Sequence, residues 1–401
     1  MVVPRILIVE DGLGPHPLAA ARSFGERGWT VGIGSPTPGG RAASSRWVSS
    51  WHQVPPAEVD TDLFLAATAA AVTSGRYDLV FGADDVEVLA LSAARDALGA
   101  GFPYPAHEVV LHTIDKLELT RAAERAGLAT PWTVDADAAL SDLPGLPFPV
   151  VVKARLHWTP GQRDVPPRLD RVMCTSPAEV ATAITTMTAA GGRPIVQEQV
   201  HGGLMAITLL MDQRGRCQAS LQQVAERISP YWHNSVRAVT VPVQPEVLQP
   251  AVRMLADLGW WGLANMQFIP TADGARPRLI DFNGRFYGSL ALARAAGLDL
   301  PVRWAELALG GETGGPSTAR LGVRYQSLEE DVRRAGVQRS GGLIRDLAET
   351  LRYASGATHS TWSVADPRPG LRRSRAVVRT EARAAAKRGL RRLLAARRPA
   401  G

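Results

Sequence analysis

Hydrophobic residues in the first third of the chain fall in short unbroken runs separated by Ala-rich stretches. Arg5 to Glu10 reads as a strand, Asp11-Gly-Leu-Gly-Pro-His-Pro breaks it, a helix runs to about Arg27, and Trp29 to Gly34 is a second strand. Unbroken apolar strands alternating with helices predict βαβ units and an open parallel sheet. Asp78-Leu-Val-Phe-Gly-Ala-Asp84-Asp85 adds a strand that ends in acids. Residues there either face the crevice at the carboxyl ends of the strands or cap the next helix, and both readings stay open. Asp115-Lys116 opens a helical pattern that Gly127 and Pro131 close.

The middle of the chain changes period. Phe148-Pro-Val-Val-Val-Lys153-Ala is a strand with one lysine inside it, and Arg155 shares its facing. Burying an ammonium alone is expensive, so Lys153 calls for an anionic partner, and a phosphate would serve. A helix over 178–190 leads into Pro194-Ile-Val-Gln197-Glu198-Gln199-Val200-His201-Gly-Gly, a strand running into a hinge. Further on, Gly259 to Pro270 and Arg278 to Ser289 hold two strand-length runs around Ala272-Asp273-Gly274, a turn suited to a hairpin. Asp281 and Asn283 are two apart and share a strand face, and Gln267 on the partner strand reaches it. A carboxylate with two amide oxygens makes a hard donor set of the kind magnesium takes alongside phosphates. Arg285, two further on, adds a planar fork for phosphate.

In these segments the chain resembles the ATP-grasp superfamily, in particular its carbamoyl phosphate synthetase-like branch of carboxylate–amine ligases. That family carries Glu or Gln on one strand and Glu-x-Asn-x-Arg on the next. Gln267, Asp281, Asn283 and Arg285 match in order, with Asp281 standing where Glu is usual. The resemblance covers about residues 1 to 310. It implies mixed α/β and α+β architecture: an N-terminal Rossmann-like parallel domain (1–112), two α+β subdomains that enclose ATP (113–195 and 196–310), and a linker with a helical, basic C-terminal extension (311–401). It implies ATP with Mg²⁺, or Mn²⁺, as cofactors. Metal ligands would be Gln267, Asp281 and Asn283. Lys116 and Lys153 would contact phosphates, and Gln197, Glu198, Gln199 and Val200 the adenine. Glu198 by itself reads equally well as an exposed hinge acid. Arg285, Lys153 and Arg237 would act on the transferring phosphoryl group, with Arg227 close by and His233 orienting substrate. The family's Gly-rich lid corresponds to His157 to Pro167, where only Gly161 survives among three prolines, and its ribose carboxylate position holds Met205.

Other function classes fall away. Gly12-Leu-Gly14 lacks the third glycine of a dinucleotide fingerprint, having Pro17 there, and that proline is expected to spoil a pyrophosphate-binding helix start. Hydrophobic residues make up 45% and charged residues 21% of 401, an ordinary globular balance. The N-terminus reads as a strand rather than a signal peptide, no stretch has the length of a membrane span, and Cys174 and Cys217 suit a reducing cytoplasm. The net charge of +7 is local: Arg368 to Arg398 holds eleven Arg and one Lys against Glu381, +11, leaving −4 elsewhere. The body therefore gives no reason to expect nucleic acid. Residues 371–394 space apolar positions on one helix face among arginines. That pattern fits peripheral contact with an anionic inner-membrane surface and, equally, a solvated tail.

The reaction expected is ATP-dependent activation of a small-molecule carboxylate as an acylphosphate for attack by an amine, in a cytoplasmic enzyme that forms a homodimer. Two alternatives differ from it: a catalytically silent ATP-binding module docked at a membrane, and a biotin-carboxylase-like enzyme that activates bicarbonate.

Overall fold

A computed structural model describes residues 3–156, 158, 171–230, 234–270, 276–311, 314–338, 341–377 and 379. The expectations for the lid at 157–167, for His233, for the turn at 272–274 and for most of the basic tail fall wholly or largely outside these residues.

The N-terminal unit is built from β1 (Arg5–Val9), α1 (His16–Glu26), β2 (Thr30–Ser35), β3 (Ser50–Gln53), α2 (Thr61–Gly75), β4 (Leu79–Gly82), α3 (Asp85–Ala93) and α4 (His107–Ile114). Its four strands are all parallel in the order β3-β2-β1-β4, as the unbroken apolar runs require. Pro17 corrects the sequence reading. It sits in the first turn of α1, where a missing N–H costs nothing, and the helix forms around it.

The second unit comprises α5 (Lys116–Arg125), β5 (Thr133–Asp135), α6 (Ala136–Ser141), β6 (Val150–Ala154), β7 (Val172–Cys174), α7 (Pro177–Ala189) and β8 (Pro194–Glu198). Its antiparallel sheet has the order β5-β8-β6-β7, covered by α7 through Val180, Ala183, Ile184 and Met187. The third contains β9 (Met205–Met211), β10 (Cys217–Ile228), β11 (Ser235–Val241), α8 (Pro245–Asp257), β12 (Gly262–Ile269), β13 (Arg278–Asn283), α9 (Leu290–Ala295) and α10 (Leu300–Ala308). After these come β14 (Ser317–Thr318), β15 (Arg324–Gln326), α11 (Leu328–Gln338), α12 (Leu343–Ala354) and β16 (Ala357–His359).

Those last strands redraw the expected boundary at 311. β15 joins β11 and β16 joins β15, so the large sheet runs β13-β12-β9-β10-β11-β15-β16, with β14 against β10. Asp366 then ties the chain to the N-terminal unit. Its carboxylate accepts from Arg22 Nε (3.0 Å), Ser45 Oγ (2.6 Å) and the Arg46 amide (3.0 Å). The segment to residue 366 is thus part of the body. Helices α11 and α12 bury charged and polar side chains and leave several apolar ones outside. Asp331, Arg334, Asp346 and Thr350 point inward, while Ile344 is 85% and Leu351 61% exposed. The interior they meet holds Arg227 and Arg237, and ion pairing outweighs apolar burial there. Residues 367–377 continue as helix, and among the described residues no helix is long and apolar enough to cross a membrane.

Candidate nucleotide and metal site

Strands β12 and β13 pair antiparallel, with Gln267 directly opposite Asp281 and Asn265 opposite Asn283. The alternation of strand faces therefore puts all four side chains on one side of the ribbon. A register shift next to Gln267 lets the ribbon twist as it leaves the pair. Asn265 was missed in the sequence, although its place two residues before Gln267 was the available signal. It is buried, and its Nδ2 donates to Thr208 Oγ1 on β9 at 2.8 Å. Asn283 is 6% exposed, and its Nδ2 has no hydrogen-bond partner among the described residues. The carboxylate of Asp281 and the amide oxygens of Gln267 and Asn283, brought to one face by the strand register, are the hard oxygen donors that magnesium takes alongside water and phosphate. The residues present are suited to the metal.

Two lysines from the second unit converge on this ribbon. Lys116 opens α5, capped by Asp115, and its Nζ lies 3.6 Å from Asp281 Oδ1. Lys153 on β6 donates to Gln197 Oε1 at 2.8 Å, and Gln197 donates in turn to Thr133 Oγ1 at 2.8 Å. Burial pushes the Lys153 ammonium down to about 7; the Lys116 charge adds to this and Asp281 partly opposes it. Two cations pressed together under partial burial form a site that gains from a polyanion.

Other sequence-predicted residues are placed differently. Arg155 does not turn to the Lys153 site, because Asp115 takes its Nε at 2.6 Å and Glu118 its Nη2 at 3.0 Å. Glu198 is engaged by Arg278 of β13 and by the Trp132 amide at 3.1 Å, so its carboxylate is occupied. Gln199 donates its amide to Pro149 O at 3.1 Å, leaving Val200 as the next hinge residue. Arg285 is not on the strand. Phe286 beside it is fully buried, stacked at 5.1 Å on Phe81 and edge-on to Trp304 at 5.5 Å, which draws the chain into the N-terminal unit. There Arg285 Nε meets Asp85 Oδ1 at 2.7 Å and its Nη1 lies 3.4 Å from Asp84 Oδ1. Burial alone would pull this guanidinium down, but Asp85 and Asp84 override it and hold it raised. Asp84 also caps α3, the second of the two sequence readings of that acid.

Arg237 is a correction. It lies on β11, beyond β9 and β10 from the ribbon, so strand spacing puts it roughly 15–20 Å from β13. Its Nε pairs with Asp331 at 2.6 Å and its Nη1 with Glu349 at 2.6 Å, and Arg227 joins the same acids. Both arginines serve the packing of α11 and α12 rather than the lysine–carboxylate site.

An antiparallel sheet and a larger, mostly antiparallel one from successive units, with lysines of one facing a metal-suited ribbon of the other behind a parallel N-terminal sheet, make up the ATP-grasp fold. Comparison with known proteins agrees. A family described as ATP-grasp in the biosynthetic pathway with Ter operon matches residues 213–331. Among solved structures, the biotin carboxylase domain of 2-oxoglutarate carboxylase from Hydrogenobacter thermophilus superposes with a TM-score of 0.63 at 13% identity, covering 81% of this chain and 74% of that one. N5-carboxyaminoimidazole synthetase from Staphylococcus aureus gives 0.61 at 12%, covering 80% of each chain. L-amino acid ligase from Bacillus licheniformis gives 0.58 at 17%, covering 76% and 74%. No curated protein matches. The chain thus has the ATP-grasp fold, and its residues 213–331 match an ATP-grasp family.

Proposed function

We propose that this protein uses ATP to activate a small-molecule carboxylate as an acylphosphate and passes the acyl group to an amine. The observation that carries the reading is the register of Gln267 against Asp281, with Lys116 at 3.6 Å from that carboxylate and Lys153 beside it. Gln267, Asp281 and Asn283 would hold magnesium, which supplies charge neutralisation between the β- and γ-phosphates. Lys116 and Lys153 would carry the remaining phosphate charge, with Lys153 becoming fully protonated as the polyanion arrives. Gln197 fixes the Lys153 ammonium in place, so less ordering remains for the nucleotide to supply. The hinge at 199–200 would meet the adenine through its backbone. Arg285, held by Asp84 and Asp85 just past the ribbon, closes the end of the site toward the N-terminal unit.

Phosphoryl transfer asks mainly for positioning and charge stabilisation, so this arrangement needs no protein nucleophile. Oxygen of the substrate carboxylate bonds to the γ-phosphorus, the bond to the β-phosphate oxygen breaks, and ADP leaves. The amine then attacks the acyl carbon and phosphate departs.

The test is magnesium-dependent ADP release with a pooled carboxylate library and hydroxylamine, which traps acylphosphates as hydroxamates without an amine substrate. Hydroxamate should form with wild type and fall at least 100-fold in Asp281→Ala. ADP release that needs only bicarbonate, or equal activity in the variant, would overturn the proposal.

A further inference from the structure

Strands β1 and β4 lie side by side, and both run out into acids at their carboxyl ends: Glu10-Asp11 and Asp84-Asp85. The sheet order β3-β2-β1-β4 makes this the point where the chain reverses its direction of progress across the sheet, the place where open parallel sheets bind ligands. Most of these acids have partners. Asp85 holds Arg285, Asp84 caps α3 and approaches Arg285, and Glu87 accepts the Asp84 amide at 3.1 Å.

Glu10 differs. It is 2% exposed, and neither carboxylate oxygen has a hydrogen-bond partner among the described residues. A buried carboxylate without donors is costly, and here burial, then Asp11 and Asp84, push its carboxyl up to about 8 against the partial relief of Arg41. His16 is 6% exposed, and its Nε2 stands 3.3 Å from Asp84 Oδ2 without completing a hydrogen bond. Glycine packs closely against Glu10. A Cβ on Gly40 would stand 3.3 Å from Glu10 Oε1 and 3.4 Å from the Gly12 Cα. Gly40 shows no positive φ, so backbone conformation does not demand a glycine there.

The acids are gathered but do not converge as metal ligands: among the described residues no three His, Cys, Asp or Glu could hold a metal ion. A looser ring of acceptors suits a cation that donates N–H bonds in several directions, as an ammonium does. Arg285 links the two places, since it pairs with Asp84 and Asp85 and lies two residues beyond Asn283.

We propose that Glu10, with Asp11 and Asp84, forms the subsite for the cationic amino group of the amine substrate. The assignment rests on the ligase reading for the purpose of that amine, but binding can be measured without turnover. Calorimetric titration of the full chain would use methylamine, L-alaninamide and putrescine as hydrochlorides, at constant ionic strength against a sodium chloride blank. At least one should bind with a Kd below about 1 mM. Glu10→Gln should weaken that binding at least tenfold, equivalent to about 1.4 kcal/mol. Gly40→Ala keeps every charge but sets a methyl group against Glu10 Oε1, and should weaken it at least threefold; it decides the matter if Glu10→Gln does not fold. No heat from any of the three amines, or unchanged affinity in a folded variant, overturns the proposal. Hydroxamate formation is scored separately. Amine binding without carboxylate-dependent ADP release counts against the ligase reading alone, and ADP release without amine binding counts against this subsite alone.

Discussion

Replacing Lys153 with Met should make the protein more stable and worse at binding ATP, and the size of the gain follows from the lysine's surroundings. Its ammonium is pushed from an ordinary 10.5 to about 7, chiefly by burial and then by Lys116. The unfolded chain therefore holds a proton that the folded chain gives up between those values. Stability rises with pH from about 7 to 10.5, and the penalty is fully present below about 7. At pH 7 the displacement corresponds to roughly 4 kcal/mol at most. Met removes that penalty while retaining apolar volume, but leaves Gln197 Oε1 without its donor, which costs about 1–2 kcal/mol. The net gain should be about 2–3 kcal/mol at pH 7 and about 0–1 kcal/mol at pH 9, where about 2 kcal/mol of the penalty remains and the orphaned Gln197 oxygen largely cancels it. Thermal unfolding followed by the fluorescence of the ten tryptophans would read this as several degrees in Tm at pH 7. In the same samples the ATP Kd should rise at least tenfold. A variant no more stable than wild type at pH 7, or one that keeps its ATP affinity, would refute the picture of Lys153 as a strained cation awaiting phosphate.

Arg237→Met tests the reassignment of that residue. It strips one cation from the fully buried Asp331 and should cost about 3 kcal/mol in a denaturant titration, while the folded fraction keeps its ATP affinity within twofold. Full stability with lost turnover would return Arg237 to the reaction. Gly284→Ala should lower Tm by several degrees, because its Cβ would stand 2.2 Å from Trp260 Cη2 and overpacking costs about 1–3 kcal/mol. Unchanged Tm and unchanged tryptophan emission would show that Trp260 yields freely.

Much of the arrangement of the candidate site was legible in the chain because it follows local rules. The period of two on β12 and β13 put Gln267, Asp281 and Asn283 on one face, and the lone lysine in an apolar strand marked Lys153 as a cation in want of an anion. Unbroken apolar runs likewise announced the parallel N-terminal sheet. Tertiary structure alone decided which charges meet. Arg285 shares its motif with Asp281 and Asn283, yet the burial of Phe286 against Phe81 carries it to Asp84 and Asp85. Arg155 and Glu198 went to partners far along the chain, Asp115 and Arg278. Arg237 went to acids roughly a hundred residues later, on helices that leave several apolar side chains outside. An arginine or carboxylate reaches several ångströms and pairs with whatever opposite charge shares its desolvated surroundings. Strand periodicity is written in consecutive residues, whereas the partner of a long charged side chain is chosen by packing between distant elements.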